Sequence, residues 1–574
     1  MNDDQLNGIG IWRPMDRHRF LLGAASTIAG TSILAACGSG SSTSGGGETA
    51  ATGAETAAAT TSAAPAAGGT LIYEVNTPAS GFDPAKWWND LSWNGSLAVF
   101  NRLLTVQADG SMTPELLAEP PVVNAEGTLY TFKLRPGVKF QHGRELTAED
   151  IKYTLERLVT PVTASEGASL YTSMTIPGMQ DILDEKGNEL TGIKIVDPLS
   201  FTIELEQPDS VFLYTLGLPF AGIVPQDVIV DVGEEAFNFA PVGTGPYTMQ
   251  DVDPSKSLVL ERFADHWNPD VGFLDRIEWA IGIEPDLSIL RIQDGQADMM
   301  AASVPAESYQ QLAGDTALKA QLFVESVNNC YYFTQSLDHP ALKDLRVRQA
   351  VAHAIDKERF VKMLRGLGEA ANGGLFSPMS PYHQDGLGYA YDPEKAKQLL
   401  ADAGFADGFD VAFWSADFTP YKEMVESVQQ DLKAVGINVD AKVLIREQWL
   451  AEVVKNPAGL TNNQWDLPYP HGSYVMDGAF TEAAIEAGCC NFSNFRSGEF
   501  DQLAKDGHLT SDLAKQVELY KQMDKIAIQD EALWVPMTYP KQASLVSERV
   551  QGYSIPGTPS PGAAFFATYS VSAA

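Results

Sequence analysis

Residue types able to do covalent chemistry are present in this chain but badly spaced for it. Past residue 69 there is no Gly-x-Ser-x-Gly turn, no His-Glu-x-x-His, no Cys-x-x-Cys and no Gly-x-x-x-x-Gly-Lys loop. Each of those motifs works because its spacing brings a nucleophile, two metal ligands or a row of backbone amides to one point. The eight histidines are scattered; the closest pair, His339 and His353, lies fourteen residues apart, which is no metal-ligand spacing. Carboxylates are so frequent, with 74 Asp and Glu, that spacing singles out no acid–base pair. The Gly-rich "PVGTGPYTMQ" at 241–250 lacks the Lys and the following helix of a phosphate cradle, and reads as a turn entering a strand. This pattern favours binding over turnover, with no metal and no cofactor.

Aromatic residues cluster instead. Trp87, Trp88 and Trp93 follow the first predicted strand, Trp414 ends another, and Trp465, Tyr469 and Tyr474 sit in "QWDLPYPHGSYVMDGAF". Such rings offer a broad apolar face with one polar edge. In open α/β sheets ligands lie beyond the carboxyl ends of strands, which is where Trp414 and its successors fall.

Four cysteines divide into one and three. Cys37 ends a mild apolar stretch that begins after Arg17-His18-Arg19. A basic start, a short apolar run and small exit residues make an export signal over 1–36. Leu34-Ala35-Ala36-Cys37 resembles a bacterial lipobox, which makes Cys37 the lipidation site. Met15 is an alternative start, and Arg17-His18-Arg19-Phe20-Leu21 only echoes a twin-arginine motif, so the export route stays open. Gly38 to Gly69 is Gly, Ser, Thr and Ala with almost no large apolar residue, and cannot bury enough to fold. Residues 37–69 are therefore a lipidated tether, with a reach of roughly 30 Å. Of the other three, adjacent cysteines pair badly with each other, so Cys330 is expected to bond Cys489 or Cys490.

The elements that must position these residues read as α/β. "TLIYEV" suits a strand, "TLYTFKLRPGVKF" a hairpin over 128–140 about Pro136-Gly137, and "LTAEDIKYTLERLV" a helix capped by Thr147. "GIKIVDPLSFTIEL" reads as two strands, and "KDLRVRQAVAHAIDKERFVKML" and "YDPEKAKQLLADAGF" as helices. "FDVAFWS", "PYKEMVESVQQDLKAVG" and "INVDAKVLI" alternate strand, helix and strand, which implies a parallel unit.

The length, 574 residues, asks for two or three lobes. A net charge of −35 excludes a nucleic-acid partner, since phosphates would repel it, and otherwise serves solubility.

In order along the chain, "GFDPA", "GSMTPELLAE", "YTFKLRPGVKFQHGRELTAEDIKYTLERL", "VGTGPY", "LRVRQAVAHAID", "YDPEKAKQLLADAGF" and "QQDLKAVGIN" resemble the family 5 solute-binding proteins of ATP-driven importers, the dipeptide, oligopeptide and nickel group. The resemblance runs from about Gly69 to the end. It implies a periplasmic-binding-protein-like fold, type II and cluster C-like, with mixed sheets. Lobe I would be 69–114, 241–330 and 546–574; lobe II an insert at 115–240; lobe III 331–545; and strands near 330 and 545 a two-strand hinge. It implies a non-enzymatic, lipid-anchored monomer on the outer face of the membrane. That monomer would capture a small solute and deliver it to permease subunits with a cytoplasmic ATPase. A sensor of the same fold or a secreted hydrolase are the alternatives.

Peptide-binding members hold the α-amino group with an Asp in a Trp-Gly/Ala-Asp-Tyr-like run. The matching region here offers Asp477 first and Asp466 second, beside Trp465 and Tyr474. Dipeptide members place an Arg and a Tyr where this chain has Ser415 and Asp417, next to Trp414. An acid there repels a carboxylate, so the resemblance implies an oligopeptide or a cationic small solute. Trp87 and Trp88 complete the expected ligand-binding set.

Overall fold

The computed structural model describes residues 68–572, apart from 88–89, 108–110, 173, 456–457, 466, 468, 487–489 and 555–565. The export signal, Cys37 and its tether, Trp88, Asp466 and Cys489 lie outside the described residues. Three sheets carry the architecture. The first has five strands, in the order Met299–Met300, Thr70–Val75, Arg276–Ile281, Ser257–Arg262 and Tyr247–Asp253. Thr70–Val75 runs parallel to both its neighbours and the rest are antiparallel. Leu71, Tyr73 and Val75 point into the core, where Tyr73 meets Trp279 edge to face at 5.2 Å.

The inserted sheet is antiparallel, in the order Val122–Val123, Leu129–Lys133, Ser200–Glu204 and Ile193–Asp197. Strict alternation buries Tyr130 and Phe132. The hairpin expected over 128–140 does not form. Leu129–Lys133 pairs on both sides with other strands, and the chain instead turns tightly at Phe140–Gly143, so that Lys139 bridges Glu145. The helix Ala148–Val159 is capped reciprocally by Thr147 and Asp150. Its Arg157 donates to Asp83 of the first body at 2.9 Å and to Glu234. Both Arg157 and Asp83 are buried.

The third sheet has seven strands, in the order Leu322–Ser326, Trp534–Leu545, Tyr331–Gln335, Leu460–Gln464, Phe409–Ala416 and Ile437–Leu444, with Gly368–Ala370 added on Trp534–Leu545. The predicted parallel unit is present: Phe409–Ala416 aligns with Ile437–Leu444 across the helix Tyr421–Ala434. Gly408 and Gly436 meet where the two strands start. A Cβ on Gly408 would lie 1.7 Å from the Gly436 carbonyl oxygen, and both have positive φ. The run 343–364 divides into two helices, Leu345–Ala354 and Lys357–Met363, because the Asp356 side chain accepts from Arg359 N and caps the second.

The long strand Trp534–Leu545 joins the bodies. Its first half pairs with Tyr331–Gln335 and its second half with Leu322–Ser326. Val546 then bridges Met299 of the first sheet. Ala543 and Leu545 pack with Ile289, Ile292 and Met300, whereas Val535 and Met537 pack with Phe333 and Phe413. The chain therefore crosses twice between bodies, at 327–330 and 539–541. The two passages lie together, with Val327 N donating to Pro540 O.

The pairing expected between Cys330 and Cys489 or Cys490 is not formed, and this expectation is corrected. Cys330 is a free, buried thiol packed with Ala371 and Tyr539 on the crossing. Cys490 is disulfide-bonded and sits in a separate cluster with Trp449 and Phe492.

Removing a partner from the buried Arg157 pair leaves an uncompensated charge, so Asp83→Asn is expected to lower stability by about 3 kcal/mol. Urea unfolding measures this, and a change near zero would show that Glu234 alone satisfies Arg157.

Candidate functional site

A small cavity of about 10 Å³, room for about one water, lies against the crossing. It is lined by Asn328, Asn329 and Cys330 from the first passage, Tyr332 from the strand that follows, and Leu375, Phe376, Trp465, Leu467 and Val475. Each wall has a local cause. Tyr332 is fixed by stacking on Trp534, with centroids 3.9 Å apart and planes 10° from parallel. Trp465 leaves the end of the strand Leu460–Gln464 and packs at 6.0 Å from Trp534 and 5.9 Å from Tyr474. Its Nε1 is shielded from solvent and has no acceptor. Ser377 Oγ donates to Asn328 Oδ1 at 2.9 Å and sets that amide's orientation.

The surroundings are of low polarity. Burial pushes the Cys330 thiol well above its ordinary range, so it is neutral. Desolvation pulls Lys357 down to about 8, while its Nζ donates to Ala371 O at 2.6 Å. Burial raises Asp524 to about 7; its Oδ1 accepts from Leu375 N.

A second constellation joins the insert to the third-sheet body. His508, in the helix Gly498–Leu509, lies 3.4 Å from Asp209 of the insert and 3.4 Å from Asp477 of the helix Ser473–Phe480. Ser210 N donates to His508 O at 3.0 Å, and Tyr214 stacks on Tyr469 at 5.8 Å. Burial alone would lower the imidazolium, but the carboxylates of Asp209 and Asp477 outweigh it and raise it to about 10. Burial raises Asp477, against the pull of His508. His471, packed beside them on Tyr214 and Tyr520, is lowered by burial to about 3 and is neutral.

The expected site residues separate accordingly. Trp465 lines the cavity, and Tyr474 packs behind it. Asp477 faces His508 rather than the cavity, with its Oδ1 shielded and without a partner. Trp414 lies in the cluster of Trp449 and Cys490. Ser415 is buried and accepts from Asn462 Nδ2 at 3.0 Å. Asp417 is exposed, and its backbone N donates to Leu444 O. Trp87 is in the first body, where its Nε1 donates to Asn238 Oδ1 at 2.8 Å. Sequence reasoning missed Asn328, Asn329, Tyr332, Phe376, Asp209 and His508. The Asn328-Asn329 pair directly before "CYYFTQ" was the one available signal. Among the described residues no group of three or more His, Cys, Asp or Glu is placed to hold a metal ion.

A family model described as bacterial extracellular solute-binding proteins, family 5 (middle), matches residues 112–486. The dipeptide-binding protein of Escherichia coli strain K12 is 28% identical over 512 residues, covering 85% of this chain and 92% of that protein. Heme-binding protein A of Haemophilus influenzae is 27% identical over 550 residues, covering 92% and 95%. The structure of clavulanic acid biosynthesis oligopeptide binding protein 2 superposes with a TM-score of 0.81 at 20% identity, over 88% of this chain and 96% of that one. The fold is thus the α/β periplasmic-binding-protein fold with mixed sheets.

The His508 contacts carry a pH dependence of fixed sign. Its folded-state value is raised, so its stabilisation is complete below the ordinary histidine range near 6.5 and is lost as pH rises through about 10. Unfolding curves of His508→Gln and the unsubstituted chain are expected to differ at pH 6 and to converge above pH 10. A gap independent of pH would show that His508 contributes by packing.

Proposed function

This chain belongs to the bacterial extracellular solute-binding proteins of family 5, the non-enzymatic receptors of ABC importers, and from that premise we propose a membrane-tethered receptor that clamps a peptide or peptide-like solute and passes it unaltered to a permease. The observation that carries the reading is the pair of separately cored bodies joined by two neighbouring passages, 327–330 and 539–541, with Val327 N donating to Pro540 O. A guest that touches both bodies only when they are shut shifts them towards the closed form, whereas a guest held by one body shifts nothing. Two adjacent crossings allow such a rotation at little cost in packing.

The named relatives bind a dipeptide and heme. The cationic reading rested on Asp417, which is exposed and not among the lining residues; the peptide-like reading is kept. Cys37 as a lipid-bearing residue and Gly38–Gly69 as a tether would hold the receptor near its permease and raise the effective concentration there.

Native mass spectrometry of freshly purified protein is expected to show an excess mass that denaturation releases as an intact peptide-sized molecule. A guest recovered as cleavage product would contradict the receptor reading. In cell fractionation, Cys37→Ser is expected to move the chain from the membrane to the soluble fraction, and unchanged membrane retention would remove the anchor.

A further inference from the structure

The insert rides on one body and touches the other. We propose that the contact of Asp209 with His508 is a latch that forms as the two main bodies close and takes up a proton in forming, so that the closed form is favoured at acid pH and released at alkaline pH. The latch presupposes the receptor reading, in which the bodies rotate about the crossing, and adds a regulation to it.

The insert is fastened firmly to the first body. Trp93, Leu103 and Leu104 of the first body share one core with Phe132, Leu155 and Phe220 of the insert. Trp93 meets Phe220 edge to face at 5.5 Å, and Gln141 Nε2 donates to Tyr247 O at 2.7 Å. Arg157 adds its buried pair with Asp83. The contact with the third-sheet body is of another kind. Its apolar part is a small separate cluster of Val211, Leu218 and Tyr469, with Tyr214 packed against it. Its polar part is Ser210, whose N donates to His508 O at 3.0 Å and whose Oγ donates to Gly507 O at 3.4 Å, and Asp209, which faces the His508 ring. Rotation about the two passages carries the insert with the first body, so these are the contacts that part.

Asp209 is held ready for this contact. It is buried, and its Oδ1 accepts from Val211 N and Phe212 N at 2.8 and 3.1 Å. That leaves Oδ2 towards His508 Nε2, 3.4 Å away. On the other side of the ring Asp477 Oδ2 lies 3.4 Å from His508 Nδ1. Asp477 and His508 belong to the same body and stay together in either state; only Asp209 leaves. The other titratable groups around the ring keep their charge. His471 is neutral through burial, burial holds the phenols of Tyr469 and Tyr520 well above their ordinary range, and Tyr130, which feels the charge of Asp209, is pushed by burial up to about 12. With both carboxylates in place the imidazolium persists to about 10. Losing Asp209 removes one of two counter-charges and lowers that value towards the ordinary histidine value of about 6.5. Between the two values the closed chain holds a proton that the open chain has released, so raising the pH through this window favours opening.

The test needs no guest. The full chain, freed of any co-purified solute, is followed by small-angle scattering from about pH 6.5 to about pH 9.5, with far-UV circular dichroism at each pH to separate opening from unfolding. The closed-to-open ratio is expected to fall about three- to tenfold over this range, read as a growing radius of gyration. Asp209→Asn keeps an oxygen for Val211 N and Phe212 N and removes the charge; its radius is expected not to change with pH. Asp477→Asn leaves the latch in place but takes away the counter-charge that never moves, and is expected to keep the transition and shift it to lower pH. A radius independent of pH in the unsubstituted chain, or the same transition in Asp209→Asn, overturns the latch. Either result leaves the receptor reading standing. Failure of native mass spectrometry to find a peptide-sized guest would strike that reading and leave the pH-dependent closure measurable.

Discussion

The constraint on which the structure turns is that the polypeptide passes between its two main bodies in two neighbouring backbone segments, 327–330 and 539–541. The long strand Trp534–Leu545 serves both: its first half belongs to the sheet of Tyr331–Gln335 and its second half to Leu322–Ser326 and, through Val546, to the first sheet. Cores on either side are separate, one built on Phe333, Phe413 and Met537, the other on Tyr73, Trp279 and Leu260. Closely packed interiors resist gradual deformation. The proposed closure would therefore concentrate its motion at these two passages.

Charge is distributed in keeping with this division. The surplus of carboxylates lies largely outside the cavity, whose described lining is neutral. Two sets of buried charges are paired at joints: Arg157 with Asp83 and Glu234 fastens the insert to the first body, and His508 between Asp209 and Asp477 ties the insert to the third-sheet body. The insert thereby touches both partners of the crossing, and Tyr214 on Tyr469 adds ring contact to the second joint. Paired burial is tolerated because each charge keeps a counter-charge within reach.

Local structure was legible where one rule sufficed. Thr147 announced a helix start, and the succession of "FDVAFWS", "PYKEMVESVQQDLKAVG" and "INVDAKVLI" announced the parallel unit. The hairpin over 128–140 was misread because Leu129–Lys133 finds better partners far along the chain, a tertiary competition that no local pattern displays. The site was legible in kind, an aromatic group near strand ends, but not in membership. Trp87 sits in the first body, whereas Trp414 and Trp465 both pack against the cluster of Trp449 and Cys490, and of the three only Trp465 lines the cavity. The contact of Asp209 with His508 joins segments far apart in the sequence, and single residues carry no periodic signal for such an encounter. Cys330 was drawn towards a disulfide by counting, while the fold seals it alone beside Ala371 and Tyr539.

The central claim, rotation about two adjacent crossings to enclose a guest, is tested most directly by small-angle scattering of the purified chain with and without a saturating peptide. The account predicts a smaller radius of gyration with peptide than after complete removal of any co-purified guest. Superimposable curves, at a peptide concentration where calorimetry shows full occupancy, would contradict it.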